Sequence, residues 1–246
     1  MSLLPRISFF FTAFALVLSA NGSIAEHHFQ TGIKAYEKSD YETAETEFTM
    51  ALKADETPAV RHNLGLTYLQ LDQPAKAVWQ LERALLLDPF NRSYRKKLNL
   101  IRNQLGLSPV TPKWSIQFSR IVAFKVWVIF ATLSFWLLLA LLILPGLNHK
   151  KASSRIKLLS LLSSLILALS LTAIWLNLKT LKSGTVLSEE TTALHAAPAT
   201  AAPESGFARP GERAYIIDRH NDFYKIKTEG SATGWLSGTD FYPLAE

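Results

Sequence analysis

Two long stretches without a charged residue, Val126–Leu144 and Leu158–Leu178, limit what this chain can fold into more than any other feature. They run for nineteen and twenty-one residues, and the first ends at Pro145-Gly146. Each is long enough to cross the ~30 Å hydrocarbon core of a bilayer as a helix, and a helix satisfies its own backbone groups there. The sequence therefore predicts transmembrane helices over 122–145 and 158–178. Charged residues inside a span mark ion and proton pathways; neither stretch has one, so both read as anchors. Asn177 and the serines at 160, 163, 164 and 170 read as helix-packing residues.

The flanks assign an orientation. Residues 146–157 carry Lys150, Lys151, Arg155 and Lys157, and the positive-inside rule places such a loop in the cytoplasm. Residues 1–25 read as a signal peptide: Arg6 in the n-region, an apolar run Ile7–Leu18, and small residues at Ser23 and Ala25 before a cleavage ahead of Glu26. An exported N-terminus followed by two crossings requires the same arrangement. The pieces on either side, 26–107 and 183–246, then face the periplasm from the inner membrane, joined to the spans by a linker and interfacial segment over 108–121.

Charge and cysteine content remove several function classes. The net charge is +6, and no acidic residue occurs between Asp88 and Glu189. This basic excess brackets the apolar stretches, where lysine and arginine anchor at lipid headgroups, so the partner it implies is the bilayer and not nucleic acid. The absence of cysteine excludes disulfides, thiol nucleophiles, c-type haem attachment and thiolate metal sites.

Residues 26–107 carry an internal repeat. Gly32, Ala44, Phe48 and Ala51 recur as Gly65, Ala77, Leu81 and Ala84, at an offset of 33. Small residues let paired helices approach closely while larger ones fill the gaps. Ser39-Asp40-Tyr41-Glu42 fits a capping box, and Tyr94, Leu98, Ile101 and Leu105 form a closing helix stopped by Gly106. The second copy, Asn63-Leu64-Gly65-Leu66-Thr67-Tyr68 followed by Ala77, Leu81, Ala84 and Asp88-Pro89, resembles the tetratricopeptide repeat. Such stacks bind peptides or proteins on a concave face built from the first helix of each pair. That face is expected to carry Phe29, Ile33, Tyr36, His62, Leu66, Leu69 and Gln70, with Arg95, Asn99 and Arg102 from the closing helix. Arg95 and Arg102 beside Asn99 suit a carboxylate; a solvated cationic face is the alternative.

After Ser183 the pattern turns to short β-prone runs. Ala214–Asp218 and Phe223–Lys227 read as strands around an Arg219-His220-Asn221-Asp222 turn, Gly234-Trp235-Leu236 as a further strand, and Ala196–Glu204 as a loop. This piece resembles the bacterial SH3-like barrel, with Trp235 read as a core residue. The family's early signature is reduced to Thr192-Ala193-Leu194-His195-Ala196-Ala197-Pro198.

No His-Glu-x-x-His, Gly-x-Ser-x-Gly or phosphate-binding glycine loop is present, so neither an enzyme nor a cofactor or metal site is expected. The fold class is a multidomain membrane protein: an all-α repeat domain, two transmembrane helices and a small all-β barrel. That order of parts resembles the membrane proteins of bacterial aerotolerance (Bat) operons. The resemblance implies work beside von Willebrand A-type proteins and a MoxR-type ATPase, and supplies partners without a reaction. An envelope scaffold is the leading reading; a peptidoglycan-binding tether or sensor, or an accessory subunit of an envelope enzyme, are the alternatives.

Overall fold

The computed structural model describes residues 24–111, 119, 124–147 and 153–244. The expected signal peptide up to residue 23, most of the 108–121 linker and Lys150-Lys151 lie outside them. The chain forms two compact units: one joins the residues up to Val110 to those from Ser183 onward, and the other is Thr111–Lys182.

The first unit opens with helix α1, described over 24–37. It continues with α2 (Tyr41–Ala54), α3 (Pro58–Gln70), α4 (Pro74–Leu87) and α5 (Arg92–Gln104). Side-chain oxygens start three of them: Asp40 accepts from Thr43 N, Thr57 from Val60 N, and Asn91 from both Ser93 N and Tyr94 N. The α2 cap is thus Asp40 and not Ser39, whose φ of 61° places it in the left-handed region.

Helices α1, α3 and α5 stop in one way. Ser39, Asp72 and Gly106 have φ of 61°, 58° and 69°. The next residue's N–H reaches back to Ala35, Tyr68 and Arg102 O at 3.0, 2.8 and 2.8 Å, the bond of a Schellman stop. The spacing between stops is 33 residues and then 34, because three residues (55–57) join α2 to α3 whereas four (88–91) join α4 to α5. Helix pairs close on small residues: Ala44, Ala51, Ala77 and Ala84 are fully buried. A Cβ on Gly32 would stand 2.7 Å from the Phe48 ring. Phe48, Val60 and Leu64 form one core cluster and Val78, Leu81, Leu98 and Ile101 another, with Tyr68 packed against both.

The rest of this unit is an antiparallel sheet of β1 (Ser183–Val186), β2 (Thr192–His195), β3 (Glu204–Ala208), β4 (Arg213–His220), β5 (Phe223–Thr228), β6 (Thr233–Ser237) and β7 (Phe241–Pro243), ordered β3-β2-β6-β5-β4-β1-β7. Its inward residues, among them Val186, Leu194, Ala214, Ile226, Leu236 and Phe241, form a third cluster. β4 runs on to His220, which pairs with Phe223, so the turn is Asn221-Asp222 alone, with Asn221 at φ 50°. A bulge between Ile216 and Asp218 adjusts the register.

Helices and sheet share a buried polar joint. The Glu82 carboxylate on α4 accepts from Arg213 Nη2 at 2.7 Å, Arg213 Nε at 3.1 Å, Thr185 Oγ1 at 2.8 Å and Arg102 Nη1 at 3.4 Å. Arg102 also pairs with Glu229 and donates to Ser108 O at 2.9 Å. Trp79 Nε1 donates to Pro243 O at 3.1 Å, and Arg83 donates to Leu244 O and pairs with Glu56. The sheet's Gly211, at φ 70°, lies so close to Leu105 and Val78 that a Cβ would stand 3.0 Å and 3.2 Å from their methyls. The segments expected as separate small domains over 26–107 and 183–246 are therefore one compact body.

The second unit is a pair of packed helices: α6 (Phe124–Leu147), which runs through Pro145-Gly146, and α7 (Ser154–Leu181), which extends past the expected 158–178 at both ends. Both are long and apolar enough to cross a membrane. Ser163 Oγ donates to Ser134 O at 2.8 Å across the pair, and Ser134, Ser163, Ser170 and Ala173 are buried while the leucines around them are exposed. Small residues at the contact and apolar ones outside suit a lipid environment. Asn177 Nδ2 donates to Ser119 O and Ala173 O, both at 2.9 Å.

Candidate functional site

The repeat geometry decides which side chains line the outer face of α1, α3 and α5. Matching the three stops aligns Phe29 with His62 and Lys96, Ile33 with Leu66 and Leu100, and Tyr36 with Leu69 and Asn103. Phe29, Ile33 and Tyr36 are half-buried against the first cluster, and Leu69 against the second. Leu66 is half-buried and Gln70 exposed. His62 stacks on Tyr94, centroids 4.5 Å apart. Burial, and then the nearby Lys97 ammonium, lower the His62 pKa from its ordinary 6.5.

Of the three residues expected from α5, Arg102 is buried and the other two are tied to neighbouring backbone. Arg95 Nη2 donates to Pro89 O at 2.5 Å and closes the α4–α5 turn. Asn99 uses both ends of its amide on Val110, accepting from its N–H at 2.8 Å and donating to its carbonyl at 3.4 Å. Arg102 is fully buried, aligned with Ala35 and Tyr68, which point into the stack. Burial removes Arg102 from the expected carboxylate-receiving set of Arg95, Asn99 and Arg102. An offset of 33 from His62, Leu66 and Leu69 leads to Arg95, Asn99 and Arg102, whereas the stops at Asp72 and Gly106 are 34 apart, and one residue turns a helix by about 100°. The residues missed are Lys96, Leu100 and Asn103; Gly106 as a stop, 34 residues after Asp72, was the available signal.

Lys96 and Asn103 are exposed, Lys97 is half-buried, and Leu100 is 55% exposed. Together with Ser93, Asn99 and Pro109 they line an open cleft of about 460 Å³. On the sheet, Trp235 retains only 8% exposure but lies outside the central cluster. Its ring carries the Lys225 ammonium 5.9 Å away and the edge of His220 at 6.5 Å, so it is a covered structural indole and not an open stacking platform. Asp218 and His220 sit in β4, and among the described residues no group of three or more acidic, histidine or cysteine side chains converges as for a metal.

A search of curated proteins returns no match to this chain. Residues 190–241, from just before β2 to the first residue of β7, match the family model described as the bacterial SH3 domain, and that stretch of the chain is similar to it.

Proposed function

We propose that this protein is an inner-membrane-anchored scaffold that presents a tetratricopeptide-type helical stack and a bacterial SH3 domain to the periplasm as one body. The observation that carries this reading is the Glu82 joint, which binds residues before the apolar pair to residues after it. A buried interface of this kind cannot assemble across a bilayer, so the number of crossings between Val110 and Ser183 is even. Two helices long enough to span supply that number. The 33–34-residue period and the Gly-Ala packing support the tetratricopeptide assignment. The outer face of α1, α3 and α5 is then the surface for a protein or peptide. Von Willebrand A-type proteins of a Bat-type complex are the proposed partners, and no chemical step is assigned to the chain.

The absence of cysteine makes the topology testable by single-cysteine labelling. Lys38→Cys and Glu190→Cys should react with a membrane-impermeant maleimide in spheroplasts, and Ala152→Cys only after permeabilisation. Labelling of Lys38→Cys and Glu190→Cys from opposite sides would overturn the arrangement. A second reading, a peptidoglycan tether, is favoured by the SH3 match. Retention of the detergent-solubilised protein on purified sacculi, without co-purifying von Willebrand A-type proteins, would put it first.

A further inference from the structure

The end of the helical stack carries a surplus of positive charge. Helix α5 reads Arg-Ser-Tyr-Arg-Lys-Lys-Leu-Asn-Leu-Ile-Arg-Asn-Gln, with five cations and no carboxylate, and the chain has no acidic residue from Pro89 to Ser188. Arg95 is committed to Pro89 O and Arg102 to Glu82 and Glu229. Lys96 and Lys97 have no carboxylate within ion-pair distance among the described residues, and the field of Lys97 reaches His62 one helix away. Both lysines border the 460 Å³ cleft.

Leu100 lines the cleft and is more than half exposed, where a solvated surface favours polar residues. Pro109 also lines it, next to Val110, whose backbone Asn99 clamps at both polar atoms. The α5 residues that line it run from Ser93 to Asn103, a rise of about 15 Å at 1.5 Å per residue. An extended segment of four to five residues at about 3.3 Å each covers that length.

We infer that this cleft at the α5 end of the stack docks a short, extended, acidic segment of a protein partner. Carboxylates of that segment face Lys96 and Lys97, and an apolar side chain rests on Leu100. The inference rests on the scaffold reading and adds the chemistry of the segment recognised.

The test uses the full chain in nanodiscs of zwitterionic lipid and two fluorescein-labelled octapeptides, one alternating Glu with Leu and the other Gln with Leu. The expected result is selective binding of the Glu/Leu peptide. That binding should weaken at least tenfold in the double variant Lys96→Glu, Lys97→Glu and at least severalfold between 50 and 300 mM salt, about the range over which exposed charges become screened. Leu100→Ser should weaken it without changing the salt dependence. Unchanged helical circular dichroism in these surface variants separates lost binding from lost folding. Equal binding of both peptides, or indifference to the charge reversal, overturns the inference while leaving a peptide-binding face in place. Failure to bind either peptide, with von Willebrand A-type proteins still captured by the Lys96→Glu, Lys97→Glu chain, overturns it and spares the scaffold. Loss of binding to phosphatidylglycerol vesicles in that variant, with no peptide effect, overturns it in favour of a lipid surface.

Discussion

The Glu82 side chain is shut away from solvent on α4, and Arg102, Arg213 and Thr185 all donate to it. Burial alone would lower the Arg213 pKa; the Glu82 carboxylate, together with Glu229 and Tyr215, outweighs this and raises it. Charges taken out of water are tolerated only when paired and hydrogen-bonded. Glu82→Gln removes the countercharge and leaves the fully buried Arg102 with only the partly exposed Glu229. The expected loss is about 3–5 kcal/mol of unfolding free energy, read as a lowered urea midpoint in detergent. Residue chemistry also sets a pH response. His62 has its pKa lowered in the folded state, so the unfolded chain binds its proton more readily. Its contribution is complete above the unfolded value of 6.5 and is lost as pH falls through that value towards the folded one. Burial raises the Glu56 pKa, but Arg61 and Arg83 lower it further, leaving it below 4.5; its contribution is present above 4.5 and lost on further acidification. Stability should fall in two stages on acidification, and His62→Phe should abolish the one near pH 6.5 while sparing the other.

At the scale of elements, the helical repeat was legible because Gly, Ala and large apolar residues recur at fixed spacing, and this pattern reports helix–helix distance directly. The face of α5 was not legible from that pattern, since the extra loop residue before it shifts every later position without altering composition. The strand β3 and the extension of β4 to His220 were missed for a different reason. Glu204–Ala208 and Arg219-His220 are weak strand formers whose pairing is imposed by neighbours. Close approach within a helix pair gives the test at this scale. Gly32→Ala places a Cβ 2.7 Å from the Phe48 ring. Overpacking costs about 1–3 kcal/mol, against a gain of about 1 kcal/mol in helix propensity, so the variant should be less stable. At Gly106 a Cβ meets nothing within 4 Å, but φ of 69° costs alanine about 1–2 kcal/mol. The two variants should therefore be destabilised for opposite reasons. Relieving the crowding with Phe48→Leu should rescue Gly32→Ala and leave Gly106→Ala unchanged.

At the scale of the molecule, the apolar pair interrupts a body whose two halves are bound through Glu82, Arg102 and Arg213. Neither of the segments 26–107 and 183–246 showed this partnership in its own residue pattern. Glu82 and Arg102 occupy helix positions where either solvent or a partner is allowed, and only the fold brings Arg213 to them. Cooperative unfolding is the expected consequence. Loss of helical circular dichroism and exposure of a thiol introduced at buried Ala214 should share one urea midpoint. Glu82→Gln should shift both readouts together.

The interrupted body also imposes a timetable on synthesis. The face of α4 that carries Trp79, Glu82 and Arg83 leaves the ribosome before the strands that cover it. Residues Thr111–Lys182 intervene, and at about 5–20 residues per second their translation takes roughly 4–15 s. For that interval the nascent chain holds an uncovered tryptophan and a carboxylate that has Arg102 beside it but not yet Arg213. Slow elongation through the apolar pair lengthens the interval.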